Sequence, residues 1–318
     1  MATEGNAPLT DIARRWAKSR TDLPTVTAAL RKGDVSTANE PAEIDQRRAR
    51  LAAHGTELEA VIGEDDSLWL GFLSRGLLMA RAVVRVVTLP VRSPAVPEGT
   101  GVLVSPRVLL TNHHVVPDAE HAAPMGVQVG YEYGDDGGEL ACTTIRLAPE
   151  TLFFTAPVST LDFTVVALAE EAPENTGYVP LIEAGGKVLI AEPLNVIHHP
   201  GGERKQVSIR NNRLVSQDEK WLRYTSDTRH GSSGAPVFND QWEMVALHHG
   251  GIPARDAEGR RLTRTSEVWT PDMDEEAVAY QWNEGARVSR IVRRLRTAAL
   301  PKPQRVLLDE ALSKGVRS

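Results

Sequence analysis

The sequence predicts a mainly β domain, a barrel or a sandwich, led by helices and closed by one more helix. Three patterns carry this expectation. Short runs rich in valine, at 82–87, 101–104 and 108–110, have the composition of strands. Turn formers recur between such runs, at Pro90, Pro94, Pro97, Gly99, Pro106, Gly134 to Gly138, Gly185-Gly186, Pro200-Gly201-Gly202 and Asn211-Asn212. Toward both ends the apolar residues change to helical spacing.

The lead comes first. Up to about residue 62, charged and small apolar residues alternate, with Ile44, Arg48, Leu51, Leu58 and Ile62 at helical intervals. Two or three helices are expected there, with the polar stretch from Ser36 to Pro41 as a connection. Strands are expected from Met79 onward. Val288, Ile291, Val292 and Leu295 repeat at helical spacing and predict the closing helix, and the tail after Pro301 is expected to be peripheral. The division is a helical extension over 1–77, a β domain over 78–300 and a tail over 301–318.

Composition narrows the class. The chain has 318 residues, 41% of them hydrophobic and 25% charged, as in ordinary folded proteins. A formal net charge of −6 with interleaved signs offers no basic stripe for phosphates, so nucleic acid is not an expected partner. The apolar run from Leu68 to Val87 is interrupted by Arg75, Arg81 and Arg85, which are costly in a bilayer, so no membrane association is expected. A single cysteine, Cys142, rules out an intrachain disulfide. Together with an N-terminus that lacks a signal-like apolar segment, this makes the cytoplasm the expected location.

Three segments carry chemistry. In Gly231-Ser232-Ser233-Gly234-Ala235-Pro236, glycines on both sides let the backbone bend around a serine hydroxyl, and the Gly231 and Ser233 amides would converge as an oxyanion hole. In Thr111-Asn112-His113-His114, a histidine ends a buried strand, and imidazole titrates near neutrality, as a general base requires. His114 is preferred to His113. In Leu161-Asp162-Phe163, a carboxylate heads an apolar strand, where an imidazole N–H is a fitting partner. Taken singly, each has a plainer account: a Gly/Ser loop, a loop histidine, a turn aspartate.

Together, TNHHVV, LDFTVVAL and GSSGAPVF occur in the order His, Asp, Ser, and the sequence resembles the trypsin-like serine peptidases over about residues 78–296. It is most similar to the bacterial branch that includes glutamyl endopeptidases, through GTGVLVS and the segment Val245 to Gly251. The resemblance implies a chymotrypsin-like double β-barrel. It implies a serine endopeptidase acting through an acyl-enzyme, with Ser233 as nucleophile, His114 as base, Asp162 as its orienting carboxylate, and Gly231 with Ser233 as oxyanion donors. The implied substrate is a protein or peptide, and no cofactor or metal is expected. Ser232 stands where the animal enzymes carry the aspartate used in zymogen activation.

The resemblance gives conflicting signals about specificity. Asp227 falls at the floor of the primary pocket, which would select Arg or Lys. Thr228 and His248 fall where glutamyl endopeptidases recognise a carboxylate. An ion pair of Asp227 with His248 or Arg229 would withdraw its charge. Basic residues are the expected preference. His249 and Gly250, beside the strand Val245 to Leu247, would line an extended substrate. His198-His199-Pro200-Gly201-Gly202 reads as a turn following the run Leu194 to Ile197 rather than a metal site, and His230 as an exposed loop residue. A catalytically silent peptide-binding barrel is the alternative, and residues 1–77 could dock a regulatory protein.

Overall fold

The computed structural model describes residues 38–53, 68–90, 94–274 and 277–313. The helices expected before residue 38, and Leu58 and Ile62, lie outside the described residues.

Valine-rich strands pair into two seven-stranded sheets, each antiparallel throughout, as the expected double β-barrel requires. The first contains β1 (Val83–Thr88), β2 (Val96–Ser105), β3 (Val108–Thr111), β4 (Met125–Val129), β5 (Thr143–Arg146), β6 (Phe153–Ala156) and β7 (Phe163–Ala167). Their spatial order is β5-β4-β1-β2-β3-β7-β6. The second contains β8 (Asn195–His198), β9 (Gln206–Ser208), β10 (Leu214–Gln217), β11 (Trp221–Tyr224), β12 (Pro236–Phe238), β13 (Met244–Pro253) and β14 (Tyr280–Arg287). Their order is β10-β11-β14-β13-β12-β8-β9. Val83, Val84, Val86, Leu109, Leu110, Val165 and Val166 are fully enclosed in one large core, while Val196, Leu214, Val237 and Val245 belong to a second. Runs buried on nearly every residue, such as β3 and β7, are strands covered on both faces.

Among the described residues four helices of eight or more residues border the sheets. α1 (Pro41–Ala53) docks on the second sheet less by its apolar side than by two arginines. Arg47 donates to Glu192 at 3.0 Å and to Gln241 at 2.7 Å, and Arg50 grips Glu243 at 2.8 and 2.7 Å. This part of the lead therefore packs on the barrel. α2 (Gly71–Arg81) runs across the expected boundary at residues 77 and 78, and the first strand begins only at Val83. A Cβ on Gly76 would lie 2.5 Å from the Trp242 ring, so the absence of a side chain there lets the helix approach. Phe72 stacks on the same ring and accepts its indole N–H through its carbonyl at 2.7 Å.

α3 (Val288–Arg296) forms where the spacing predicts it and buries Val288, Ile291, Val292 and Leu295. The tail corrects an expectation. Residues 302–313 form α4 (Lys302–Ser313), whose Leu308, Ala311 and Leu312 are enclosed in the large core. No described helix is long and apolar enough to cross a membrane.

Candidate active site

The site lies where the two sheets meet. Asn112, fully buried just after β3, donates its side-chain N–H to the Asp162 carbonyl at 2.8 Å. This ties the histidine segment to the aspartate segment. Asp162 itself has φ +49°, a left-handed conformation that aspartate tolerates better than most residues. Its carboxylate is fully buried and turns back on His114, with Oδ2 2.7 Å from His114 Nδ1 and Oδ1 accepting the His114 backbone N–H at 3.1 Å. Two contacts from one carboxylate fix both the ring and its backbone. His113 engages Thr155 Oγ1 instead, at 2.8 Å.

Burial alone would disfavour the Asp162 anion. The charge and hydrogen bond of His114, joined by those of His249, outweigh it and hold the carboxyl below the usual carboxylate range. The His114 Nδ1 contact leaves Nε2 as the atom free to take a proton, and the ring keeps 24% of its side-chain surface accessible.

The Ser233 turn is wedged against β2. Gly231 and Gly234 have φ +88° and +85°. Thr100 holds the turn by two bonds, its N–H donating to the Ser233 carbonyl at 2.8 Å and its hydroxyl to the Gly231 carbonyl at 2.7 Å, while its own carbonyl accepts Thr111 Oγ1 at 2.7 Å. Behind the turn, Ser232 Oγ meets His198 Nδ1 at 2.8 Å. Ser232 thus takes an internal hydrogen bond, not an ion pair. Neither the Gly231 nor the Ser233 amide donates to an acceptor among the described residues, so two N–H groups two residues apart are available to a ligand oxygen.

A Cβ on Gly99 would lie 3.0 Å from both the Ser233 carbonyl and Val115 Cγ2, which seats the serine turn across Gly99 from the neighbour of His114. The structure joins His114 to Asp162 by hydrogen bonding. Ser233 is held close by through Gly99 and Thr100, and a His114–Ser233 hydrogen bond is not formed. Such bonds are often loose before substrate arrives.

The remaining candidates separate. Asp227 is exposed, and among the described residues its carboxylate forms no ion pair with His248 or Arg229. It is therefore not a buried pocket floor. Thr228 Oγ1 donates to Asn283 Oδ1 at 2.7 Å, and Asn283 donates to the Ser226 carbonyl at 2.7 Å. His248 is buried with Nδ1 2.7 Å from the Tyr224 hydroxyl. Gly250 is half-buried on β13. His249 does not line a substrate groove: its ring is enclosed, with Nδ1 3.0 Å from Asp162 Oδ2 and Nε2 3.2 Å from Glu284 Oε1. Glu284 and Arg223, which no local motif singles out, complete this contact from behind.

The buried histidines make stability depend on pH. Burial holds His198 down to about 4, helped by the Arg229 charge, holds His199 down to about 3, and holds His248 well below its ordinary value. Below about pH 6.5 the unfolded chain takes up protons at these sites that the folded chain refuses. Stability should therefore fall between about pH 6.5 and 4, by up to roughly 1.4 kcal/mol per pH unit for each histidine. Urea midpoints that match at pH 7 and pH 5 would contradict this. His249 acts in the opposite sense. Burial lowers it, but its bonds to Asp162 and Glu284 prevail and raise it, so its contribution is lost as pH rises through the raised value.

Comparison with known proteins agrees with this geometry: residues 99–247 match the family described as trypsin-like peptidase domain. This segment is similar to a trypsin-like peptidase domain. It runs from within β2 to the first part of β13 and so contains His114, Asp162 and Ser233. The chain is 34% identical over 275 residues to the uncharacterized protein y4fB of Sinorhizobium fredii (strain NBRC 101917 / NGR234). The aligned region covers 78% of this chain and 40% of that relative, so the chain spans well under half the relative's length. Among solved structures, the chain is similar to the Rv3671c protease from M. tuberculosis in its active form, at 16% identity and a TM-score of 0.45. That match covers 71% of this chain and 86% of the other. The inactive form gives 15% identity, a TM-score of 0.44, and coverage of 71% and 93%. The matched segment is preceded by α1 and α2 and followed by α3 and α4.

Proposed function

We propose that the chain is a serine endopeptidase that cleaves protein or peptide substrates through an acyl-enzyme. The observation that carries this reading is the buried Asp162 carboxylate bonded at 2.7 Å to His114 Nδ1, beside a serine turn whose two amides are available. In the first step Ser233 Oγ attacks the scissile carbonyl carbon and its proton passes to His114 Nε2. The carbonyl oxygen, now negative, takes the Gly231 and Ser233 N–H groups. His114 then gives the proton to the departing amine, and water repeats the sequence to release the acyl group. This chemistry needs no cofactor.

The pocket supports an acidic residue on the acyl side of the scissile bond more than the basic one expected from Asp227. Asp227 is exposed, whereas His248 is buried and backed by Tyr224, whose hydroxyl donating to Nδ1 would leave the imidazole proton on Nε2 for a substrate carboxylate. A cytoplasmic location belongs to the same reading, since a fold with one cysteine stands without disulfides. The test is a peptide-library cleavage profile on the purified chain. Cleavage after Glu or Asp is expected; cleavage confined to Arg or Lys would overturn the pocket assignment, and no cleavage of any member would count against the peptidase itself.

A further inference from the structure

Behind the Asp162–His114 pair sits a second histidine that the acyl-transfer steps leave unused. In the β13–β14 ladder His248 pairs with Gly285 and Gly250 pairs with Glu284, so His249 is an extra residue at a bulge. A bulge re-aims its side chain, and here the ring turns inward. It stacks on Trp221 with centroids 4.6 Å apart and planes 17° from parallel.

Its two nitrogens face two carboxylates. Nδ1 is 3.0 Å from Asp162 Oδ2, the same oxygen that meets His114 Nδ1, and Nε2 is 3.2 Å from Glu284 Oε1. Asp162 and Glu284 are fully buried, and His249 is 2% exposed. A neutral imidazole has one N–H, so its other nitrogen would point a lone pair at a carboxylate in a dry setting. Two N–H groups satisfy both contacts. The far oxygen of Glu284 accepts Arg223 Nε at 2.9 Å, and Arg223 Nη2 reaches Asp218 Oδ2 at 2.7 Å. Charges therefore alternate from Asp162 through His249, Glu284 and Arg223 to Asp218.

We propose that His249 is a positioning residue for the Asp162–His114 pair: a buried imidazolium, tied to Glu284, that fixes the Asp162 carboxylate and so places the acid limb of the pH–rate profile. The proposal rests on the assignment of His114 as general base. Against His249 lie Asp162 Oδ2, Glu284 Oε1, the Trp221 ring and the adjacent His248; His114 shares Asp162 Oδ2 with it, and Arg223 shares the Glu284 carboxylate. Of these, Asp162, Glu284 and Arg223 supply the fixed charge.

The two charges nearest Asp162 on this path act on His114 in opposite directions. Without the His249 cation, Asp162 and Glu284 are less compensated and His114 holds its proton more tightly. Without the Glu284 anion, the cation is less compensated and His114 releases its proton more readily. Kinetics on a peptide from the cleavage profile should show the acid limb of kcat/KM moving up by about one pH unit in His249→Gln and down by a similar amount in Glu284→Gln. A structural role alone would lower activity in both variants without opposed shifts. A limb that stays put in either variant, or moves the same way in both, overturns the proposal.

A second measurement needs no variant to fold. In the full-length wild type labelled with nitrogen-15 at histidine, one imidazole should keep both ring protons at pH 8 and show contacts to the Trp221 indole. Finding the Trp221-contacting ring singly protonated at pH 8 would overturn the proposal as well. Fluorophosphonate labelling of Ser233 keeps the two readings apart. A labelled enzyme with unmoved limbs refutes the His249 role alone, whereas an unlabelled chain with the imidazolium in place refutes the peptidase reading.

Discussion

Replacing Ser233 or His114 by alanine is expected to lower kcat/KM for peptide cleavage by about 10⁴-fold or more, and replacing both should cost little beyond either one. The reason is mechanical. Without the hydroxyl there is no nucleophile for His114 to activate, and without the imidazole the Ser233 proton has no acceptor, so each change removes the same step. What survives is the contribution of the Gly231 and Ser233 amides and of substrate binding, roughly 10³–10⁴ over water in comparable sites. Steady-state kinetics on the three variants checks this. Losses that multiply in the double variant would mean that the two residues do not act as a unit.

A larger structural effect is expected from Gly234→Ala. Its φ of +85° strains an L-residue, and its Cβ would overlap the Thr100 carbonyl oxygen and Thr111 Oγ1 unless they were displaced. Neither partner can yield cheaply, because the Thr100 carbonyl already holds Thr111 Oγ1 and lies on the central strand β2. The expected cost is about 3 kcal/mol or more, together with loss of activity as the serine turn is pushed off its seat. Gly259→Ala separates strain from crowding. Gly259 has φ +82° with nothing within 4 Å of a Cβ, so only the backbone strain of roughly 1–2 kcal/mol applies. Equal urea midpoints for the two variants would contradict the packing account of Gly234.

The site was more legible in the sequence than its surroundings. A histidine after a buried strand, an aspartate heading one and a serine between glycines are residue types that packing alone rarely asks for, and local pattern exposes them. Of the two adjacent histidines, the structure pairs the preferred one, His114, with Asp162. His249 was misplaced for a physical reason: on a regular strand its ring would follow the alternation of β13, but a bulge opposite Glu284, 35 residues later, reverses it. Pairing partners that distant leave no local signal. Asp227 was misplaced because position relative to Ser233 fixes the backbone and not where the side chain points.

The helices divide along similar lines. α3 carries its apolar stripe openly. α2 leaves Leu73, Leu77 and Leu78 exposed and docks through a missing side chain at Gly76, so its sequence does not show a conventional buried face. In α4 the interval of Leu308, Ala311 and Leu312 is helical, yet the stretch follows Pro301, where the sequence predicts a peripheral tail. Proline is compatible with a first helical turn, where its missing N–H costs nothing.

The central claim is that the hydroxyl of Ser233 is activated by the His114–Asp162 pair. Intact-mass analysis after treatment with a fluorophosphonate tests it most directly. One adduct on Ser233 of the wild type, absent in Ser233→Ala and strongly slowed in His114→Ala, is the predicted result; a wild type that takes up no adduct, or takes it up equally in Ser233→Ala, would contradict it.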